Sequence, residues 1–201
     1  MPNWCNNSIT IRGSVETLSE LKPVVEAGEG LLQAICPMPA ELEGTTAPSD
    51  TPNWYDWCNE NWGTKWDPEV HLEFTDNGDG TAEITGWFDT AWAPPLAALQ
   101  SLADDWDSCY IELFYEESGM CFVGCWDSEG GDDYYEYSDA TSKTITDIVP
   151  AYLVEQFALD ERLAEWEDEE DEVWFEDVDQ EIIDNEFSEE KDKIMVDKVP
   201  D

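Results

Sequence analysis

Positive charge is what this chain has least of. Its 201 residues hold 8 Lys and Arg and one His against 50 Asp and Glu, a formal net charge of −42. So few cations build no basic patch, which argues against direct contact with nucleic acid or an anionic membrane surface. The same field attracts basic surfaces. With one histidine, a Cys/His zinc site is not expected. No CxxC pair occurs, and no apolar run approaches membrane-spanning length. The start, Met1-Pro2-Asn3-Trp4, is polar at once and unlike a signal peptide, so a cytoplasmic chain is expected. GxGxxG, P-loop, GxSxG and HExxH patterns are all missing. No enzyme activity, cofactor or metal is expected, because carboxylates this abundant make any one neighbouring pair uninformative.

Other residues are plentiful. With 41% hydrophobic residues and 11 Trp, the chain can bury a core despite its charge. Its length fits one or two domains. Cys5, Cys36, Cys58, Cys109, Cys121 and Cys125 are expected as free, mostly buried thiols. Cys121 and Cys125 lie four apart in what reads as one strand, too far apart to bridge easily.

Asn7–Gly13 alternates polar and apolar as a strand does. Ser14 can cap a helix carrying Val15, Leu18, Leu21 and Val25 on one face, with Pro23 kinking it and Gly28 ending it. Leu31–Cys36 reads as a strand or the lead into a loop, and Glu43–Pro52 as a surface insertion. Next come Trp54, Trp57, Trp62 and Trp66, four tryptophans within thirteen residues, at no clean helical or strand period. They could line a ligand groove with Lys65 and Trp92, or cap one end of a sheet through their indole N–H groups.

Val70–Thr75 and Ala82–Phe88 form a hairpin around Asp76-Asn77-Gly78-Asp79-Gly80. That turn places glycines where a calcium loop needs oxygen ligands. His71, opposite its strand's apolar face, has no evident partner. Residues 95–106 make an amphipathic helix entered through Pro94-Pro95. Cys109–Tyr115 and Met120–Trp126 are further strands, and Tyr134–Tyr137 can add an edge. The order β-α-β-β-α-β implies an α+β, ferredoxin-like (split βαβ) antiparallel sheet with two packed helices, spanning about residues 1–140 with a Trp-rich insertion at about 37–67.

Four blocks carry a resemblance: Met1–Asn7, Asn61–Asp67, Phe88–Pro95 and Tyr115–Gly119. Together they resemble the YubB-type ferredoxin-like domain family of phage and plasmid proteins, over about residues 1–137. The resemblance implies the same fold and a mobile-element origin. It supplies no catalytic residues and leaves the acidic C-terminal third uncovered.

That third, residues 144–201, reads as a largely helical extension. Thr146 or Asp147 can cap its first helix, with Pro150 in the first turn and Ile148, Tyr152, Leu159, Leu163 and Trp166 apolar. Continued helix aligns Glu165, Asp168, Glu169, Glu172, Glu176, Asp177 and Asp179 as a carboxylate face. An opposite stripe of Trp174, Val178, Ile182 and Phe187 would dock or dimerise. Residues 151–201 carry 21 acids and 4 bases. As one continuous helix they would span about 76 Å, an acid about every 3.6 Å, near the phosphate spacing of one DNA strand.

Two functions are therefore expected to compete. In one the protein mimics nucleic acid and inhibits a basic DNA- or RNA-binding host protein, such as a restriction or CRISPR defence factor. In the other a ferredoxin-like module binds a ligand or peptide, and the acidic segment only keeps it soluble. Adaptation to high salt is a third reading, disfavoured by Lys outnumbering Arg and by the aromatic content.

Overall fold

The computed structural model describes residues 3–106 and 108–169. The chain divides into two compact units, Met1–Ser138 and Asp139–Asp201.

In the first unit, β1 (Trp4–Ser14) is central because Cys5, Asn7, Ile9 and Ile11 alternate into the core. Ser14 then caps α1 (Val15–Leu18), accepting from the Thr17 amide at 3.0 Å. A single 3₁₀ turn separates it from α2 (Lys22–Ala27), which carries Pro23 in its first turn and ends on left-handed Gly28. The crossover continues through α3 (Leu31–Ile35) and α4 (Trp54–Asn61). Both differ from expectation. The Leu31–Cys36 run is helical because the Asp67 carboxylate accepts from the Leu32 and Gln33 amides at 3.0 and 2.8 Å. The tryptophan cluster starts a helix capped by Asn53, which accepts from the Asp56 amide.

The hairpin strands β2 (Val70–Asp76) and β3 (Thr81–Ala91) follow, then α5 (Leu96–Asp105), β4 (Tyr110–Glu117), β5 (Phe122–Asp127) and β6 (Asp132–Glu136). Their sheet order is β2-β3-β1-β4-β5-β6, every neighbour antiparallel. The first four strands are the split βαβ arrangement, with β5 and β6 added beyond β4. Cys121 sits in the turn before β5 at φ 54°, so it does not share a strand with Cys125. All six cysteines are free thiols.

Register sorts the residues between two faces. Ile9, Ile11, Val70, Ile84, Phe88, Ile111 and Leu113 share the core with Leu18, Leu31, Leu32, Leu99 and Leu102. The opposite face carries Trp4, Arg12, His71, Glu73, Glu83, Trp87 and Asp89. Gly86 permits the β2–β3 approach, since a Cβ there would drive into the His71 carbonyl.

The second unit begins with α6 (Ile145–Ile148) and α7 (Ala151–Phe157). Pro150 does not continue the first helix. Val149 before it is extended, as residues before proline tend to be, and Pro150 starts a new helix instead. Ala158, left-handed at φ 49°, ends α7. Residues 159–169 form α8. A single continuous helix over 151–201, the condition behind the charge spacing, is therefore broken at Ala158, and that spacing fails with it. Ile145, Val149, Leu153, Val154, Leu159 and Leu163 are buried. Trp166, expected in the apolar stripe, is exposed beneath Arg162, whose guanidinium carbon lies 5.6 Å from the ring centroid. Among the described residues no helix is long and apolar enough to cross a membrane.

Candidate functional site

The four sequence blocks, more than a hundred residues apart at their extremes, meet at one end of the sheet. There β1 and β2 begin and β3 and β4 end. Asn7 is buried and donates through Nδ2 to the Cys5 and Phe88 carbonyls and to Thr90 Oγ1, at 2.8, 3.2 and 2.9 Å. Neighbouring Asn6 donates to Glu116 at 3.2 Å. Glu116 also accepts from Tyr137 at 2.5 Å, while Glu117 accepts from the Gly119 and Met120 amides, both at 2.8 Å. Of these two buried carboxylates, Glu117 shapes the turn after β4 and Glu116 ties β4 to Asn6 and Tyr137. Thr64, also buried, both donates to the Ala91 carbonyl and accepts from the Ala91 amide. That exchange ties the segment before β2 to the end of β3. Gly63 (φ 84°) lets the segment in, because a Cβ there would lie 3.2 Å from the Pro94 carbonyl.

The tryptophans expected to form a groove divide between two roles. Trp62 is buried and donates its indole N–H to the Cys36 carbonyl at 2.8 Å, with Trp57 edge-on to it at 5.5 Å. Trp54 is edge-on to Tyr55. Lys65 occupies an aromatic cage, its Nζ 4.6 Å from the Trp66 centroid, 5.1 Å from Trp92 and 5.9 Å from Tyr55. Trp92 holds its place in a left-handed conformation, φ 69°, which costs a non-glycine residue backbone energy. Trp54, Trp62, Lys65 and Trp66 line a largely apolar pocket of about 400 Å3, together with Met38 and Cys58; Trp57 and Trp92 do not line it. Burial pushes the Cys58 thiol up to about 11, so it stays protonated at neutral pH.

A second pocket, about 390 Å3, opens beside the first and shares Trp66 and Asp67 with it. Its other lining residues are Trp4, Pro68, Glu69, His71, Trp87 and Asp89. Trp4 and Trp66 lie 6.2 Å apart, tilted by 59°. His71 stacks on Trp87 with centroids 4.1 Å apart. Burial raises the Asp89 carboxyl above its usual range, and attraction to His71 opposes the shift. One Asp89 oxygen is buried with no hydrogen-bond partner.

Residues 61–191 match the family of ferredoxin-like domains found in Api92-like proteins. The chain belongs to this family. The match includes three of the four converging blocks and runs past residue 137, where the sequence resemblance stops, into the acidic segment. No curated protein matches the chain. A solved structure, protein Api92 from Yersinia pseudotuberculosis, aligns at 19% identity and a TM-score of 0.35 over 53% of this chain. The aligned part is 39% of that protein, well under half its length.

Within this Api92-like domain, the residues expected to form a carboxylate face are only partly placed. Glu165, Asp168 and Glu169 are exposed on α8. Glu172, Glu176, Asp177 and Asp179 lie outside the described residues, as do Trp174, Val178, Ile182 and Phe187. Glu167 accepts from the Ser142 amide and hydroxyl at 2.7 and 2.8 Å, which holds its carboxyl below the usual range. Sequence reasoning missed Trp4, His71, Trp87 and Asp89 as companions. The available signal was large aromatics at strand positions whose register faces away from the core.

Proposed function

We propose that this protein acts as a nucleic-acid mimic, presenting carboxylates where DNA or RNA presents phosphates to a basic host protein. The observation that carries the reading is the α8 surface. Leu159 and Leu163 are buried, while Asp160, Glu161, Glu165, Asp168 and Glu169 are exposed. Residues 160–169 hold six acids and one base. At 1.5 Å per residue that is about one carboxylate per 2.5 Å of axis, between the charge spacings of duplex and single-stranded DNA.

Among the described residues two cations belong to the same unit as this surface, Arg162 on α8 itself and Lys143, whose attraction helps to lower the Glu167 carboxyl. Lys22, Lys65 and Arg162 sit over aromatic rings, and Arg12, which pairs with Glu83 at 2.6 Å, also lies over Tyr110. The target is a Lys/Arg-lined groove such as that of a restriction or CRISPR nuclease. The YubB-type resemblance, with the phage or plasmid origin it implies, supports a reading in which the host cytoplasm is the place of action and defence the process inhibited. In this reading the protein binds and performs no catalysis.

The test is DNA binding by a panel of host restriction and RNA-guided nucleases, with and without the full chain, on native gels at low and high salt. The expected result is loss of DNA binding by at least one nuclease, reversed as salt rises. Replacing Glu161, Glu165, Asp168 and Glu169 with Gln is expected to weaken the inhibition. Unaltered DNA binding across the panel at low salt would overturn the proposal.

A further inference from the structure

The pocket beside the Lys65 cage has a composition that mimicry of nucleic acid does not call for. Three indoles wall it, brought from β1, from the segment before β2 and from β3. Trp4 is 45% exposed and Trp87 53% exposed, so neither is held there by core packing. Carboxylates of Asp67, Glu69 and Asp89 line the same space, and among the described residues no Lys or Arg does.

These carboxylates are not equivalent. Asp67 is committed to the amides that begin α3. Glu69 is exposed, and among the described residues it pairs through its backbone with Glu29. Asp89 is the one with a buried oxygen that accepts no hydrogen bond. Leaving such an oxygen unsatisfied is costly, and a cation brought into the pocket would offset that cost.

We propose that this pocket binds an organic ammonium group, seated among Trp4, Trp66 and Trp87 and neutralised by Asp89. Indole faces attract cations, and alkylammonium groups suit such surroundings because they are bulky and weakly hydrated. The neighbouring cage shows that this end of the fold accepts the chemistry, since Trp66 already lies under the Lys65 ammonium. A metal ion fits poorly: among the described residues no three His, Cys, Asp or Glu side chains are placed to hold one. An anion would meet three carboxylates. A neutral ligand would leave the charge of the Asp89 carboxylate uncompensated. The volume, about 390 Å3, suits a small ligand or one long side chain. The inference is independent of whether α8 engages a nucleic-acid-binding protein.

The test titrates the full chain with choline, its neutral isostere 3,3-dimethyl-1-butanol, N-ethylguanidinium and sodium at matched ionic strength. Tryptophan fluorescence and calorimetric stoichiometry are read together. One saturable site is expected, filled by choline at least tenfold more tightly than by the isostere. Trp87→Ala and Asp89→Asn are each expected to weaken choline at least fivefold. Glu129→Gln, in the turn at the far end of the sheet, is expected to leave it unchanged.

A trimethyllysine peptide binding more tightly than choline would assign the ammonium to a protein partner, and the reverse to a free small molecule. Either supports the site. A response shared by sodium and without saturation would reduce the effect to diffuse counter-ion attraction and overturn the proposal. So would equal binding of the isostere, a tenfold preference for the guanidinium, or identical binding by Trp87→Ala and Asp89→Asn proteins that circular dichroism shows to be folded.

Discussion

Two aromatic sites share the Trp66 side chain, and they differ in whether the chain completes them itself. On one side Lys65 supplies the cation, Trp62 finds a carbonyl and the indoles pack edge to face. On the other, three indoles and three carboxylates line a cavity to which the described residues contribute no Lys or Arg, and one carboxylate oxygen has no hydrogen-bond partner among them. Clustered tryptophans are therefore not one kind of evidence. A cluster that satisfies its own polar groups supports the fold, and a cluster that does not is a candidate for binding.

The strongest way to break this comparison is to truncate one tryptophan on each side. Trp62→Ala removes a buried indole and strands the Cys36 carbonyl, so a loss of about 3–5 kcal/mol is expected in chemical denaturation. Trp87→Ala removes a half-exposed ring and is expected to cost under about 1 kcal/mol. A Trp87→Ala loss as large as that of Trp62→Ala would make its pocket part of the core. Lys65→Met is the next largest test. Taking the ammonium away from its rings is expected to cost about 1 kcal/mol, and Lys65→Arg to recover much of it. If Lys65→Met were neutral, the first site would be no more self-sufficient than the second.

This division was only partly legible in the sequence. Alternation placed β1, β2, β3 and β4, because a half-buried strand shows its period directly. Ser14 and Gly28 marked a helix start and stop through local chemistry. The α3 helix was hidden, since a run of five residues is too short to show a period and its capping carboxylate, Asp67, lies more than thirty residues ahead. Pro150 was read as a first-turn residue when it separates two helices, and the break at Ala158 carried no glycine to announce it. The expected groove residues were found together for the most part, but the unsatisfied pocket was not foreseen. Its Trp4, Trp87, His71 and Asp89 come from three strands and become neighbours only through register.

A finer test uses the sign of pH dependence at Asp89. Burial raises its carboxyl in the fold, so its ionised form is disfavoured there. The group's contribution to stability is complete below the ordinary Asp value, about 3.9, and is lost as pH rises through the raised one. Asp89→Asn is therefore expected to gain melting temperature relative to the parent as pH rises from about 3 to neutrality. The parent and the variant share every other acid, so the general relief of self-repulsion in acid largely cancels from the difference. Saturating choline at neutral pH is expected to shrink the gap, and a gap independent of pH would mean that Asp89 is already satisfied.

Glu167 provides the opposite sign and the smallest effect. The Ser142 amide and hydroxyl both donate to it, and these bonds lower its carboxyl. Its contribution is present above the ordinary Glu value and is lost as pH falls through the lowered one. Ser142→Ala removes the hydroxyl donor and keeps the amide, so the Glu167 carboxyl is expected to titrate closer to the ordinary value in an NMR titration, without returning fully to it. Because Glu167 is solvated, the shift in titration is the readout to follow, and global stability should scarcely move. If removing the hydroxyl left the Glu167 titration in place, hydrogen-bond donors would not be what separates a satisfied carboxylate from an unsatisfied one in this protein. The contrast drawn at Asp89 would then lose its physical basis.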